Sequence, residues 1–115
     1  MSGEKFGEFV RRRREAKEIG LREMAKMIDV SPTYLSKVER DEFPPPVEEK
    51  VRKIAGIIDC DVDQLLALAG RVASDLSSII RNQPREMASF LRAAKGLTAE
   101  ELSKLVRAAN KARDK

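Results

Sequence analysis

Residues 31–40, SPTYLSKVER, gather two serine hydroxyls, a threonine, a phenol, an ammonium and a guanidinium in one short segment. Such groups donate and accept hydrogen bonds and carry positive charge, so they suit recognition of a polyanion better than bond-making chemistry. Ser31 followed by Pro32 is a helix-start pair, because the proline's missing N–H is one that a helix leaves unbonded in any case. Pro44, Pro45 and Pro46 cannot continue a helix and restrict the residues before them, which makes DEFPPP a stiff connector. At 100° per residue from Thr33, Leu35, Val38 and Glu39 fall at about 200°, 140° and 240°; Lys37, Arg40 and Ser36 fall at about 40°, 340° and 300°, with Tyr34 flanking at about 100°. The segment therefore has apolar anchors on one face and a cationic, hydrogen-bonding front on the other. The major groove of B-form DNA admits one α-helix. Lysine and arginine address guanine O6 and N7 or a phosphate there, and threonine bonds a base edge or touches a thymine methyl.

Other chemistry is poorly supplied. The chain has no histidine and one cysteine, Cys60, so no internal disulfide, conventional zinc site or histidine-based catalytic dyad can be assembled. No enzyme activity, metal or cofactor is expected, and Cys60 reads as a small apolar residue in a helix–helix connection. No apolar run is long enough for a membrane span and no signal-peptide pattern opens the chain, so a cytoplasmic protein is expected.

Charge is unevenly spread. Residues 1 to 40 carry ten Lys and Arg against seven Asp and Glu, residues 41 to 70 three against seven, and residues 71 to 115 ten against five. A polyanion should meet the first third or the tail, since the middle would repel it. The run Arg11–Arg14 invites the same reading by itself. On a helix those four side chains point in four directions, with Glu8 and Glu15 at pairing distance, so most of the run reads as a solvated face.

Helical periodicity is found throughout and strand alternation nowhere. Phe6, Phe9, Val10 and Ala16 mark a first helix, roughly 4 to 18; Leu21, Met24, Ala25 and Ile28 mark a second; the third runs from Pro32 to about Arg40. Val47, Val51, Ile54, Ala55 and Ile58 mark a fourth, and a fifth is capped by Asp61 and ended by Gly70. Met24, Met27 and Met87 read as core filling. The expected fold is all-α: a five-helix domain over residues 1 to 70 and a helical C-terminal extension over residues 71 to 115. In that extension Pro84 restarts a helix, and Thr98 with Glu101 forms a capping box flanked by a Leu97–Leu102 staple.

The stretch Leu21–Arg40, LREMAKMIDVSPTYLSKVER, resembles the phage-repressor-like, XRE-type helix-turn-helix family. The likeness rests on a small Ala25 within the first motif helix, a turn residue able to adopt positive φ at Asp29, then Val30, Ser31, apolar Leu35 and Val38, and the acid Glu39. It extends more weakly over residues 6 to 69. The resemblance implies base reading at Pro32, Thr33, Tyr34, Ser36 and Lys37, with Thr33 and Lys37 central on the wheel, and phosphate contacts from Arg22, Ser31 and Arg40. It also implies a structural ion pair between Arg14 and Glu39. Several positions depart from the pattern. Leu21 and Gly20 replace a frequent glutamine and a serine cap, and Arg13 falls on the apolar face of the first helix, where its stem snorkels or meets another subunit. Asp41, Glu42, Glu48 and Glu49 make a close phosphate approach costly after the third helix.

Operators of this family are usually two-fold symmetric, because one short helix contacts too few base pairs to be selective. The resemblance thus implies a dimeric repressor on double-stranded DNA. Leu76, Ile80, Phe90, Leu91, Leu102, Leu105 and Val106 are the expected centre of a homodimer interface, unless the tail folds back on its own domain. An antitoxin-like module, whose C-terminal helices bind a partner protein, is the alternative.

Overall fold

The computed structural model describes residues 3–114, and among them the chain forms eight α-helices and no strand. It divides into two compact units, one running to Ser74 and one beginning at Asp75.

The first unit holds α1 (Phe6–Ala16), α2 (Leu21–Met27), α3 (Pro32–Glu39), α4 (Glu48–Ile57) and α5 (Val62–Leu68). Neither α2 nor α3 is long enough to be stable alone, so packing must hold them. α3 packs on α1 and on α2, while α4 packs on α5. Their apolar stripes meet in one core, in which Val10, Met24, Ile28, Leu35, Val38, Val51, Ile54, Ile58, Leu65 and Leu66 are essentially fully buried. Each large aliphatic side chain so buried contributes about 1.5–3 kcal/mol. Met27 does not join them. It is 52% exposed, because on the α2 wheel it lies about 100° from the centre of the stripe formed by Leu21, Met24, Ala25 and Ile28.

All five helices of this unit end by one device, in which a residue at positive φ lets the next N–H bond back to the last turn. Glu18, Asp29, Asp41 and Asp59 have φ between 58° and 60°, and Gly70 has φ 74°. Ile19, Val30, Glu42, Cys60 and Arg71 then donate to the carbonyls of Arg14, Ala25, Lys37, Ala55 and Leu66. This places a tight turn between α2 and α3 without glycine; aspartate tolerates the left-handed region better than most residues. Two helix ends receive a cation as well. Lys50 Nζ donates to the Ile28 carbonyl at 2.8 Å, and Arg13 Nη2 donates to those of Ile58 and Asp59 at 2.9 and 2.8 Å. Arg13 therefore snorkels from α1 to the end of α4, its guanidinium 5.5 Å from the Phe9 ring centre.

The unit continues past Gly70 because the next residues are anchored. Arg71 donates to the carbonyls of Pro45 and Pro46, Ala73 is buried, and Ser74 donates from its amide and hydroxyl to Glu48. The second unit comprises the rest of α6 (Ser74–Asn82), with α7 (Pro84–Ala94) and α8 (Ala99–Arg113). Pro84 opens α7. Thr98 Oγ1 accepts from Glu101 N at 3.1 Å while Glu101 accepts from Thr98 N at 2.9 Å, the reciprocal cap that starts α8. Among the described residues, none of these three helices has a buried side chain.

Candidate nucleic-acid interface

Ser31 begins α3 by accepting the Tyr34 N–H on its Oγ at 3.0 Å, and Pro32 occupies the first helical position. Leu35, Val38 and Glu39 turn inward and are buried, while Thr33 and Arg40 are exposed and Pro32, Tyr34, Ser36 and Lys37 half-buried. The exposed Arg22, in the first turn of α2, shares one shallow depression with Pro32, Thr33, Ser36 and Arg40. Ser31 lies at the mouth of the helix beside them, so hydroxyl and guanidinium groups from two helices border a single face.

The depth at which α3 sits is set from behind. Arg14 Nε and Nη2 donate to Glu39 Oε2 and Oε1 at 2.8 and 2.9 Å, and Nη1 donates to the Ile19 carbonyl at 2.8 Å. This two-toothed bond to Glu39 is the main cause that holds the guanidinium pKa above its ordinary value, against the opposing effect of burial. The rest of the arginine run is also engaged: Arg11 with Glu15, Arg12 with Glu4 through two bonds, and Arg13 at the end of α4. Half of that run is thus structural, more than its pattern in sequence suggested.

Further contacts fix α3 against α1 and at its C-terminal end. Gly7 is buried in α1, and its N–H donates to Asp41 Oδ1 at 2.8 Å. A Cβ at residue 7 would lie 2.2 Å from the Val38 carbonyl oxygen. Asp41, which sequence reasoning treats only as a charge unfavourable to phosphate, also caps the first turn of α1. Glu42 pairs with Arg40, Nε to Oε2 at 2.9 Å, in an exposed ion pair. The Tyr34 and Phe43 rings meet at a 47° tilt with centres 5.9 Å apart, and Lys37 Nζ stands 5.2 Å from the Phe43 ring centre. Gly7, Asp41 and Phe43 are the residues that sequence reasoning missed here. Cys60 is half-buried, and burial is the main cause that pushes its thiol pKa up, the opposite of a reactive thiolate.

A model of the helix-turn-helix domain family matches residues 5–68, which include every residue of this face. The chain belongs to the phage-repressor-like, XRE-type helix-turn-helix family. Members of this family are DNA-binding regulators. The DNA-binding domain of the P22 C2 repressor, solved by nuclear magnetic resonance, is 32% identical to this helix-turn-helix protein; the match has a TM-score of 0.51 and covers 57% of this chain and 86% of that one. SinR in complex with DNA is 30% identical over 53% of this chain and 97% of that one, with a TM-score of 0.48. A SinR protein/SinI protein complex matches in fold over 96% of this chain and 99% of that one, at 21% identity and a TM-score of 0.50. No curated protein sequence gives a significant match. Among the described residues, no helix of this helix-turn-helix protein is long and apolar enough to cross a membrane.

Proposed function

We infer that this chain is a sequence-specific, dimeric transcriptional repressor that places α3 in the major groove of double-stranded DNA. It acts in the cytoplasm by occupying a two-fold symmetric operator, and it needs neither metal nor cofactor nor catalysis. The observation that carries this reading is the two-sided build of α3: Leu35, Val38 and Glu39 are buried, while Thr33 and Arg40 face solvent, Thr33 lying between Arg40 and half-buried Lys37 on the wheel. Pro32, Thr33, Tyr34, Ser36 and Lys37 meet base edges. Arg22, Ser31 and Arg40 meet phosphates. Ser31 spends an oxygen lone pair on its cap, so its O–H remains able to donate to a phosphate. Arg40 exchanges Glu42 for the DNA backbone.

Lys37→Ala and Thr33→Ala should each cost about 1–3 kcal/mol on the preferred site and alter which bases are tolerated, whereas Arg22→Ala should weaken all sequences alike and lower the salt slope by about 1. Competition titrations with matched duplexes separate these patterns. Equal losses on every sequence for Lys37→Ala would make it a backbone contact.

The dimer reading rests on the second unit, where Phe90 is 47%, Leu91 49% and Val106 59% exposed, and where Leu76, Leu102 and Leu105 are also exposed beside half-buried Ile80. An apolar face of this kind is a marker of association. Light scattering on the full chain at micromolar concentration should give twice the monomer mass, and a monomer would refute the interface. The same face supports a second reading, an antitoxin-like module binding a partner protein; a stoichiometric partner co-purified from the source cell, with a monomer in isolation, would favour it.

A further inference from the structure

We propose that Phe43, which lies outside the helix-turn-helix, is a specificity-determining positioning residue that presents Lys37 to the DNA. The inference rests on the groove-reading role given to α3 above.

Lysine is a poor reader by itself. Its four-carbon stem has many rotamers, and the entropy of fixing them opposes any selective contact. Here the stem has a companion. The ammonium of Lys37 stands 5.2 Å from the centre of the Phe43 ring, a cation–π distance. The ring is held in turn. Its backbone N–H donates to the Lys37 carbonyl at 3.3 Å, beside the Glu42 N–H at 2.9 Å on the same oxygen, so residue 43 is tied to the helix turn that carries the lysine. Tyr34, one turn back on α3, supports the ring at 5.9 Å with a 47° tilt. Pro44, Pro45 and Pro46 stiffen the chain beyond it, Pro46 is buried, and Arg71 holds the carbonyls of Pro45 and Pro46. Phe43 itself remains 41% exposed, so core packing alone does not account for this degree of restraint.

Lys37 is thereby confined to the arc of the ring face, on the Tyr34 side of the front, before DNA arrives. Such restraint favours the base step within that arc and disfavours contacts made by swinging to a neighbouring phosphate. Discrimination thus depends on a connector residue, and its effect passes through Lys37.

The test uses the full chain and the duplex best bound by it, with each single base-pair variant of that duplex. Phe43→Leu keeps an apolar side chain of similar bulk and removes the ring; Phe43→Tyr keeps the ring. Phe43→Leu should reduce discrimination roughly 3- to 10-fold at the base pair that Lys37→Ala also affects, leaving the salt slope unchanged. Phe43→Tyr should retain it. In a Lys37→Ala background Phe43→Leu should add nothing. Unchanged discrimination in Phe43→Leu overturns the proposal, and so does an increase, which would mean that the ring holds the lysine back. An equal loss without Lys37 also overturns it, since the ring would then touch DNA directly. Absence of any base preference in the unsubstituted protein is a different failure: it removes the groove-reading role and this inference together.

Discussion

Replacing Glu39 by alanine is expected to lower the unfolding free energy by about 3–5 kcal/mol, since it strands a buried charge. The Arg14 and Glu39 side chains are only 9% and 3% exposed, and their two bonds lie at 2.8 and 2.9 Å. Without Glu39, Arg14 would keep only the Ile19 carbonyl, through Nη1. A guanidinium stays protonated in proteins, so deprotonation offers no escape. The pair as a whole need not be stabilising, because both ions were taken out of water. Joint replacement, Arg14→Met with Glu39→Leu, should therefore stay within about 1 kcal/mol of the original or exceed it. Urea unfolding of the full chain distinguishes these outcomes as a shift in midpoint at constant slope. A loss below about 1 kcal/mol for Glu39→Ala would mean that water reaches Arg14.

Gly7→Ala is expected to cost about 3 kcal/mol, the upper end of the usual range for overpacking. The new Cβ would lie 2.2 Å from the Val38 carbonyl oxygen, 2.8 Å from that of Glu39 and 2.7 Å from Asp41 Oδ1. Two of these neighbours are backbone atoms at the end of α3, so relief requires α1 and α3 to separate. That motion also pulls on Arg14–Glu39 and on the Asp41 cap. Gly56→Ala provides the contrast: no atom lies within 4 Å of a Cβ there, inside α4, and a gain of about 0.5 kcal/mol is expected. Thermal unfolding of the two variants should therefore move in opposite directions. Similar behaviour would show that α1 does not approach α3 so closely.

These two positions also separate what sequence conveys from what it does not. Ser31–Pro32 and Thr98–Glu101 were legible because a helix start is a local hydrogen-bonding problem, solved within one turn. The inward set Leu35, Val38 and Glu39 was legible because a helical wheel needs only periodicity. The Arg14–Glu39 pair came through family resemblance; nothing in its spacing of 25 residues announces a contact. Gly7 carried no signal at all: its need for a bare Cα arises from a carbonyl more than a helix away in sequence. Asp41 was visible as a charge, and its cap on α1 depends on the same tertiary approach. The helix ends were partly readable. Asp29 and Gly70 were recognised as turn residues, yet Glu18, Asp41 and Asp59 adopt the same positive φ after their own helices. An acidic side chain in sequence signals charge, and only its place after a helix end tells that its backbone turns left-handed. Met27 failed for a simpler reason, since a methionine near an apolar stripe was counted within it.

The face of α3 is where these fixed elements converge. Arg14, Gly7 and Asp41 set its depth and the tight turn at Asp29 its angle, and α2 brings Arg22 to its side. The measurement that tests the groove-reading role most directly is in vitro selection of random-sequence duplexes by the full chain at moderate salt. Enrichment of a two-fold symmetric site, its half-sites about one helical turn apart, is expected. Recovery of unenriched sequence, together with no binding to any duplex at low ionic strength, would contradict it.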